Sequence, residues 1–291
     1  MDWLNAIIQG VLLGGLYALL ATGLSLVFGV MRLVNLAQGD LTILAAFLSL
    51  AIVEATGINP LVSLVAVVPI MMIGGYLLQR LLLNFTLERG VLPPVLATFG
   101  LAVILQNVLL SVYSADSQGL DAGSIERSSL RLTDQLAVGW LPLITLIVAI
   151  VILVGLQLLI SRTGLGRSLR ATADDPDAAS LVGIDARHIY GVAMALALGT
   201  IAIAGVFLGI RTTFGPADGP VRLIFAFEAV VIGGLGSLWG TLVGGIILGV
   251  AQALGNQIGP GYQILAGHLV FLAVLVFRPA GLFARQTVRR A

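Results

Sequence analysis

The chain has 291 residues, of which 58% are hydrophobic and only 10% are charged. Soluble domains carry about 25% charged residues, so this composition excludes an ordinary soluble protein and indicates one that crosses a membrane several times. The net charge of +1 gives no reason to expect nucleic acid as a partner, and the lack of cysteine excludes disulfides and zinc–thiolate sites. We predict an all-α polytopic membrane protein whose residues 1–291 form a single transmembrane domain within the lipid bilayer.

The first half of the sequence predicts five membrane segments. Residues 7–31 form a long apolar span, which we expect to be retained because no basic region precedes it. The polar cluster 35–40 is followed by a short apolar stretch, 41–53, which indicates a broken or re-entrant helix lining a cavity. Three full spans then follow, at 60–78, 91–112 and 137–160.

The second half predicts four more segments after a polar, charge-rich island at 162–188. A single span occupies 190–210. The apolar stretch 223–254 is too long for one span and is interrupted by glycines at 233–240, so we divide it into two segments, the first of them short. The last segment is 262–277. The total is about nine segments, within a range of eight to ten that includes short or broken helices.

Arginine placement orients these segments, since all 15 basic residues are arginine. Four lie in the island and four near the C-terminus: Arg162, Arg167, Arg170 and Arg187, then Arg278, Arg285, Arg289 and Arg290. Short basic loops stay in the cytoplasm, so we expect both groups on that side. The even number of segments between them agrees. The N-terminus and the polar loop 114–135 are then extracytoplasmic.

Within the island, residues 175–183 predict a short capped helix. Asp175 suits the N-cap, Pro176 the first helical position and Asp177 the positive end of the helix dipole. Gly183 is a natural stop. At about 1.5 Å per residue this helix is roughly 10 Å long, too short to cross a bilayer. Two interpretations of this segment remain: a solvated loop with a helical turn, or a docking element for another protein.

Enzymatic motifs are lacking. A Walker A motif needs a lysine that reaches the phosphates, and the chain has no lysine, so it does not itself carry that ATP site. His188 and His268 lie far apart and lack the spacing of a metal site. No nucleophile elbow occurs, so a membrane hydrolase is not favoured. We expect a protein that is not an enzyme and binds no cofactor itself.

Polar residues within apolar segments are the candidates for a translocation path, because ionisable groups are costly in a membrane. Asp40 can either cap a helix beginning near Leu41 or line a path. Glu228 can line a path, contact a neighbouring subunit or lie near an interface. Glu54 is expected at the membrane surface. The candidate path residues are Asn35, Gln38, Asp40, Glu228 and Ser237.

Glycines at four-residue spacing predict close helix packing near the break in the 223–254 stretch. Gly236, Gly240 and Gly244 would share one helix face, and Gly245 and Gly249 repeat the step. Such a face forms a smooth groove for a partner helix. That partner can belong to this chain or to the other half of a dimer.

Four segments carry a resemblance to a known family: FGVMRLVNLAQGD at 28–40, GLGRSLRA at 164–171, IGGLGS at 232–237 and FRPAGLF at 277–283. Over nearly its whole length, the chain resembles the LivH-type permease of branched-chain amino acid ABC importers. The resemblance implies the ABC importer permease fold.

The island carries one further similarity. Asp177, Ala178 and Ala179, followed after three residues by Gly183, resemble the Glu-Ala-Ala-x-x-x-Gly signature by which ABC permeases engage their ATPase. Asp stands where Glu is usual, and the Leu-Pro that often follows is absent. The resemblance implies that these four residues couple the permease to its ATPase.

The resemblance also implies a set of partners. These are a second, homologous permease subunit in a homodimer or heterodimer, two cytoplasmic ATPases that hold ATP–Mg, and an extracytoplasmic binding protein, all at a bacterial inner membrane. The implied substrates are leucine, isoleucine and valine, although similar permeases are associated with other amino acids, urea or short amides. We expect ligand affinity to reside in the binding protein, because the sequence offers no obvious clamp for a zwitterion. An ion-coupled secondary transporter and a passive channel or scaffold are the other classes.

Overall fold

The computed structural model describes residues 2–87, 89–90, 92–133 and 136–283. Within these ranges it contains thirteen α-helices, a π-helical turn at Gln79–Leu83 and one β-hairpin. Arg285, Arg289, Arg290 and Asp134 lie outside the described residues. The first seven helices are α1 Asp2–Met31, α2 Gln38–Thr56, α3 Pro60–Leu78, α4 Asn84–Leu87, α5 Leu92–Tyr113, α6 Ser124–Arg127 and α7 Trp140–Arg162. The others are α8 Gly164–Asp174, α9 Pro176–Leu181, α10 Ala186–Arg211, α11 Gly219–Gly233, α12 Leu238–Ile258 and α13 Tyr262–Phe277.

Nine of these helices form the membrane-embedded body. Seven helical segments are long and apolar enough to cross a bilayer: α1, α2, α3 with its continuation to Leu87, α5, α7, α10 and α12. Two shorter ones, α11 and α13, have 15 and 16 residues. The prediction of an all-α membrane protein with about nine segments is confirmed. The second segment differs, because α2 begins at Gln38 and has 19 residues, three residues ahead of the predicted start at Leu41.

The long helix α1 packs against α12 through glycines. A Cβ on Gly14 would overlap the backbone of Ile246, and one on Gly10 would overlap that of Val250. From the other side, Gly245 and Gly249 meet the backbone of α1 near Gly14. Small residues let membrane helices approach this closely, and dispersion contacts between the backbones then stabilise the pair.

The two ends of the bundle carry different parts of the sequence. The Gln9 side chain donates to the carbonyl of Ala137 (3.0 Å), so the start of α1 lies beside the start of α7. At the opposite end, α8 contacts the end of α1, and Gly29 of α1 lies against Gly236. The amide of Leu282 donates to the carbonyl at the end of α11 (3.0 Å). The island and residues 278–283 therefore share one end, as the arginine distribution predicts.

Residues 114–133 and the β-hairpin close the other end of the bundle. Its β1, Ser129–Thr133, pairs antiparallel with β2, Leu136–Gly139. Gln118 and Phe214 exchange two backbone hydrogen bonds of 2.9 Å, and the amide of Leu120 donates to the carbonyl of Gly209 (3.0 Å). These bonds fasten the loop over the end of α10.

Residues 2–78 (α1, α2 and α3, here the first unit) and residues 186–258 (α10, α11 and α12, the second unit) have the same order of elements. Each has a long helix, a link without helix at 32–37 or 212–218, a helix beginning inside the bundle and a final span. The last helix of each unit packs on the first helix of the other. Because α1 and α10 start at opposite ends, the units form an inverted repeat of the kind found in transporters.

Candidate translocation path and ATPase-docking helix

The starts of α2 and α11 meet in the middle of the bundle, which we call the central junction. A Cβ on Gly39 would overlap the carbonyl oxygen of Gly219, and one on Gly219 would overlap the carboxylate of Asp40. Neither position can carry a side chain without moving backbone. Non-helical backbone at membrane depth is tolerated where protein surrounds it. The first link is largely buried, whereas Thr212, Thr213 and Ala217 of the second are exposed.

Asn35 and Gln38 hold the first link in place. The Asn35 side chain accepts from the amide of Ala37 (3.0 Å), and the Gln38 side chain donates to the carbonyl of Leu20 in the middle of α1 (2.7 Å). The amide of Leu36 donates to the hydroxyl of Thr98 (3.2 Å). Both candidate path residues are buried; Gln38 joins the link to α1, and Asn35 shapes the turn within the link. Nδ2 of Asn35 and Oε1 of Gln38 have no hydrogen-bond partner among the described residues.

Asp40 lies in the first turn of α2 and is 2% exposed. Its Oδ1 accepts from Nε2 of Gln106 in the middle of α5 (2.9 Å). A carboxylate is also favourable at the positive end of a helix. The helix starts before this residue, so Asp40 is a first-turn acid joined to α5 and does not cap a helix from Leu41, which was one of the two predicted roles.

Glu228 is buried in α11 and is hydrogen-bonded to Nδ1 of His268 on α13. The second carboxylate oxygen, Oε2, has no hydrogen-bond partner among the described residues. Glu228 and His268 are 40 residues apart in the sequence, and only the packing of α13 on α11 brings them together. Glu54, by contrast, is exposed near the end of α2.

The turn between α11 and α12 contains the glycines and the serine singled out in the sequence. Ser237 is the N-cap of α12, and its hydroxyl accepts from the amide of Gly240 (3.1 Å). Gly236 precedes the helix with φ +79°, so it does not share a helix face with Gly240 and Gly244, in contrast to the prediction. Gly240 and Gly244 pack on the backbone of α11, which makes this an interface within the chain.

The short helix α9 in the island has the predicted caps. Asp175 accepts from the amides of Asp177 and Ala178, both at 3.0 Å, and the helix ends at Leu181. Gly183 follows in the left-handed conformation, φ +84°. Asp177 and Ala178 are exposed, whereas Ala179 is buried and its carbonyl accepts from the amide of Ile184 (3.1 Å). The island therefore presents a rigid helical tip.

A second helix in the island, α8, was not anticipated. The hydroxyl of Thr163 caps it by accepting from the amide of Gly166 (3.0 Å), and Arg170 donates to the carbonyl of Ile160 at the end of α7. Leu169 is buried beneath it. The signal in the sequence was the Thr163 N-cap with apolar residues at helical spacing. This helix connects α9 to the ends of α1, α7 and α10.

The structure also assembles a polar cluster that the sequence did not reveal. A cavity of about 400 Å³ lies between α1 and α10–α13 in the extracytoplasmic half, and Tyr17, Arg211, Arg222 and Gln252 line one side of it. The Tyr17 hydroxyl donates to Oε1 of Gln252 (2.5 Å). These residues come from four helices, so no sequence motif could indicate them. Two arginines thus line one cavity, which no motif in the sequence indicated.

Comparison with known families gives a match over residues 6–278 to the model described as the permease component of the branched-chain amino acid transport system. The chain belongs to this family. The permease is 28% identical to the high-affinity branched-chain amino acid permease protein BraD of Pseudomonas aeruginosa, over 99% of this chain and 98% of that protein. It is 29% identical to the corresponding LivH protein of Salmonella typhimurium, over 99% of this chain and 97% of that one.

A solved structure of PsaBC from Streptococcus pneumoniae in complex with Fab also aligns with the permease. The alignment covers 94% of this chain and 90% of that chain, with 15% identity and a TM-score of 0.48. Family membership together with seven candidate spans makes the chain a multi-pass permease subunit of the bacterial inner membrane. As the permease component of an ABC importer, it works with ATPase and binding-protein partners.

Proposed function

We propose that the permease is the membrane-spanning subunit of an ATP-driven importer for leucine, isoleucine and valine, which an extracytoplasmic binding protein delivers. The observation that carries this proposal is the family match across residues 6–278, supported by near-full-length similarity to two proteins named as high-affinity branched-chain amino acid permeases. ATP–Mg binds to separate ATPase subunits, and this chain, which has no lysine for a Walker A motif, contributes the path.

The tip of α9 is the proposed docking point for an ATPase. Leu181 and Val182 are 88% and 75% exposed at the cytoplasmic end. Exposed apolar side chains beside a capped, rigid helix are typical of a protein interface. Asp177, Ala178, Ala179 and Gly183 shape the backbone of this tip, and α8 connects it to the spans. We propose two such ATPases, one beneath this permease and one beneath a second, homologous permease subunit.

The substrate proposal is tested by uptake in proteoliposomes that contain the complete complex, the binding protein and internal ATP. We expect leucine, isoleucine and valine to accumulate, with no accumulation when ATP is replaced by a non-hydrolysable analogue. Accumulation of urea or short amides in place of leucine would contradict the substrate class. Uptake by this chain alone, driven by a proton or sodium gradient, would contradict the ATP-driven mechanism.

The docking proposal is tested by Leu181→Glu, with Leu181→Met as the matched control that keeps an apolar side chain of similar size. We expect the glutamate to weaken ATPase binding by roughly thirtyfold, the effect of losing an interface anchor worth about 2 kcal/mol. Residue 181 is exposed, so neither substitution should change the thermal stability of the isolated permease. Equal ATPase affinity for both variants would exclude α9 as the docking point.

A further inference from the structure

The cavity lined by Tyr17, Arg211, Arg222 and Gln252, here the arginine cavity, is the feature that the proposed function does not yet use. Arg211 ends α10, and Arg222 lies in the first turn of α11, so the two come from either side of the second link. Tyr17 and Gln252 are 6% and 1% exposed and come from α1 and α12. The cavity size falls within the ordinary range for small-ligand sites.

Within the described ranges, neither guanidinium group forms an ion pair. Nη1 of Arg211 and Nε of Arg222 are buried without a hydrogen-bond partner in the part of the chain that the structure describes. Among the residues that the structure describes, no aspartate or glutamate lines the cavity. Nε2 of Gln252 is likewise without a partner among these residues, since the hydrogen bond from Tyr17 engages only Oε1. Three unsatisfied donor groups therefore belong to residues that line a single cavity.

Unpaired cations at membrane depth are costly, and such residues mark ligand or ion pathways. The start of α11 adds to the positive field, because the N-terminal end of a helix carries a partial positive charge. In transporters, the starts of discontinuous helices point at anionic groups of the substrate. An anion that bridges the arginines would satisfy their donors, and a carboxylate has the planar geometry that guanidinium groups bind best.

Apart from Thr212 and Gln263, the rest of the wall is apolar. Leu13, Leu16 and Leu20 follow one another on a single face of α1, and Leu208 and Phe225 complete the surface opposite. A site with a cationic side and an aliphatic side matches an anion that carries a short branched hydrocarbon chain. A phosphate without such a chain would leave this surface unused.

We propose that the arginine cavity binds the substrate during its transfer from the extracytoplasmic side, with Arg211 and Arg222 holding the carboxylate and the α1 leucines contacting the aliphatic side chain. This proposal rests on the proposed function, because it names a site for the same substrate class. It also assigns two specificity-determining residues outside the set predicted from the sequence.

The test uses the lack of cysteine in this chain, so that Thr212→Cys introduces a single thiol into it at the exposed edge of the cavity. The complete complex in lipid nanodiscs is treated with a maleimide, and the modified fraction of this chain is followed by mass spectrometry. At ten times the dissociation constant, leucine should slow the reaction roughly tenfold, because about a tenth of the sites remain free. 4-Methylpentanoate, which lacks the ammonium group, should also protect, whereas leucinamide, which lacks the carboxylate, should not.

Arginine variants extend this test. In the Thr212→Cys background, Arg222→Gln should abolish protection and Arg222→Lys should retain part of it, because the charge remains. Arg80→Gln, the same change at an exposed arginine of the cytoplasmic end, should leave protection unchanged. The comparison of leucine with leucinamide needs no arginine variant, so its outcome does not depend on whether such a variant folds.

Three results would overturn the carboxylate site. They are equal protection by leucine and leucinamide, no protection by any of the three compounds, and protection that follows the anionic lipid content of the nanodisc, which would indicate a lipid headgroup. Failure of the proposed function has a different signature, since the wild-type complex would then not import leucine at all. A complex that imports leucine while Arg222→Gln imports it equally well would reject only the arginine cavity.

Discussion

Each unit of the inverted repeat places a link without helix before the central junction, but the polar residues of the two links have different surroundings. In the first unit, Gln38 and Asp40 are buried and hydrogen-bonded to α1 and α5, and Asn35 is buried and bonds within the link. In the second, Arg211 and Arg222 flank the link and line an open cavity. The link of the first unit is thus packed among its neighbours, whereas the link of the second unit borders an open polar surface.

This difference indicates how a permease can hold a barrier and a site on the two sides of one junction. The glycine contact between Gly39 and Gly219 joins the two links, so a shift of either unit is transmitted to the other. A stiff element that two sites bias is the physical requirement for coupling. On this view the first unit seals the membrane, and the second receives the substrate.

The largest effect is expected at the contact that both units share. Gly39→Ala places a Cβ inside the backbone of Gly219, which no rotamer change can move, so the cost exceeds the roughly 1–3 kcal/mol of ordinary overpacking. Gly219→Ala places a Cβ inside the carboxylate of Asp40 and against its backbone amide, so the junction must also shift. We expect each variant to lose folded protein, measured by size-exclusion yield after extraction. Gly215→Ala, in open space within the second link, is the matched control. Normal yields of both junction variants would mean that the links do not touch.

A smaller effect is expected when the first link loses a partner. Asp40→Leu leaves the amide of Gln106 without its acceptor and should lower the free energy of unfolding by about 1–3 kcal/mol. Asp40→Asn keeps an acceptor oxygen and should unfold close to wild type. Denaturant unfolding in detergent measures both. If Asp40→Leu were as stable as Asp40→Asn, the hydrogen bond to α5 would not hold the first unit closed.

The smallest effect is expected at Ser237, in the second unit. Ser237→Ala removes the N-cap of α12 and should cost about 1 kcal/mol of stability with leucine uptake unchanged. Ser237→Asp, which can still cap, should restore the stability. Thermal unfolding and uptake are measured on the same preparations. A large loss of uptake without any loss of stability would instead make Ser237 a residue of the path.

Local features of the chain could be predicted from the sequence because their causes are local. Asp175, Pro176 and Gly183 determine the start and stop of α9, and the glycines near 236 indicate the break before α12. The start of α2 was misplaced because Asp40 suggested a cap, while the turn is made by Asn35 three residues before the helix.

Features that depend on distant segments could not be predicted in this way. Glu228 and His268, and the four residues of the arginine cavity, meet only after the helices pack. One signal was present in the arginine distribution: Arg211 and Arg222 lie outside both cytoplasmic basic clusters. The positive-inside rule favours arginine on the cytoplasmic side, so arginines in the extracytoplasmic half are candidates for a functional role.

Paired uptake measurements test the division between the two units most directly. Reconstituted complexes carrying Asp40→Asn or Arg222→Gln are compared for ATP-driven leucine uptake, with equal thermal stability as the condition for comparison. We expect Asp40→Asn to remain within about twofold of wild type and Arg222→Gln to fall by at least about tenfold, a loss of about 1.4 kcal/mol. The reverse order, with Asp40→Asn inactive and Arg222→Gln fully active, would place the path along the first unit and contradict this division.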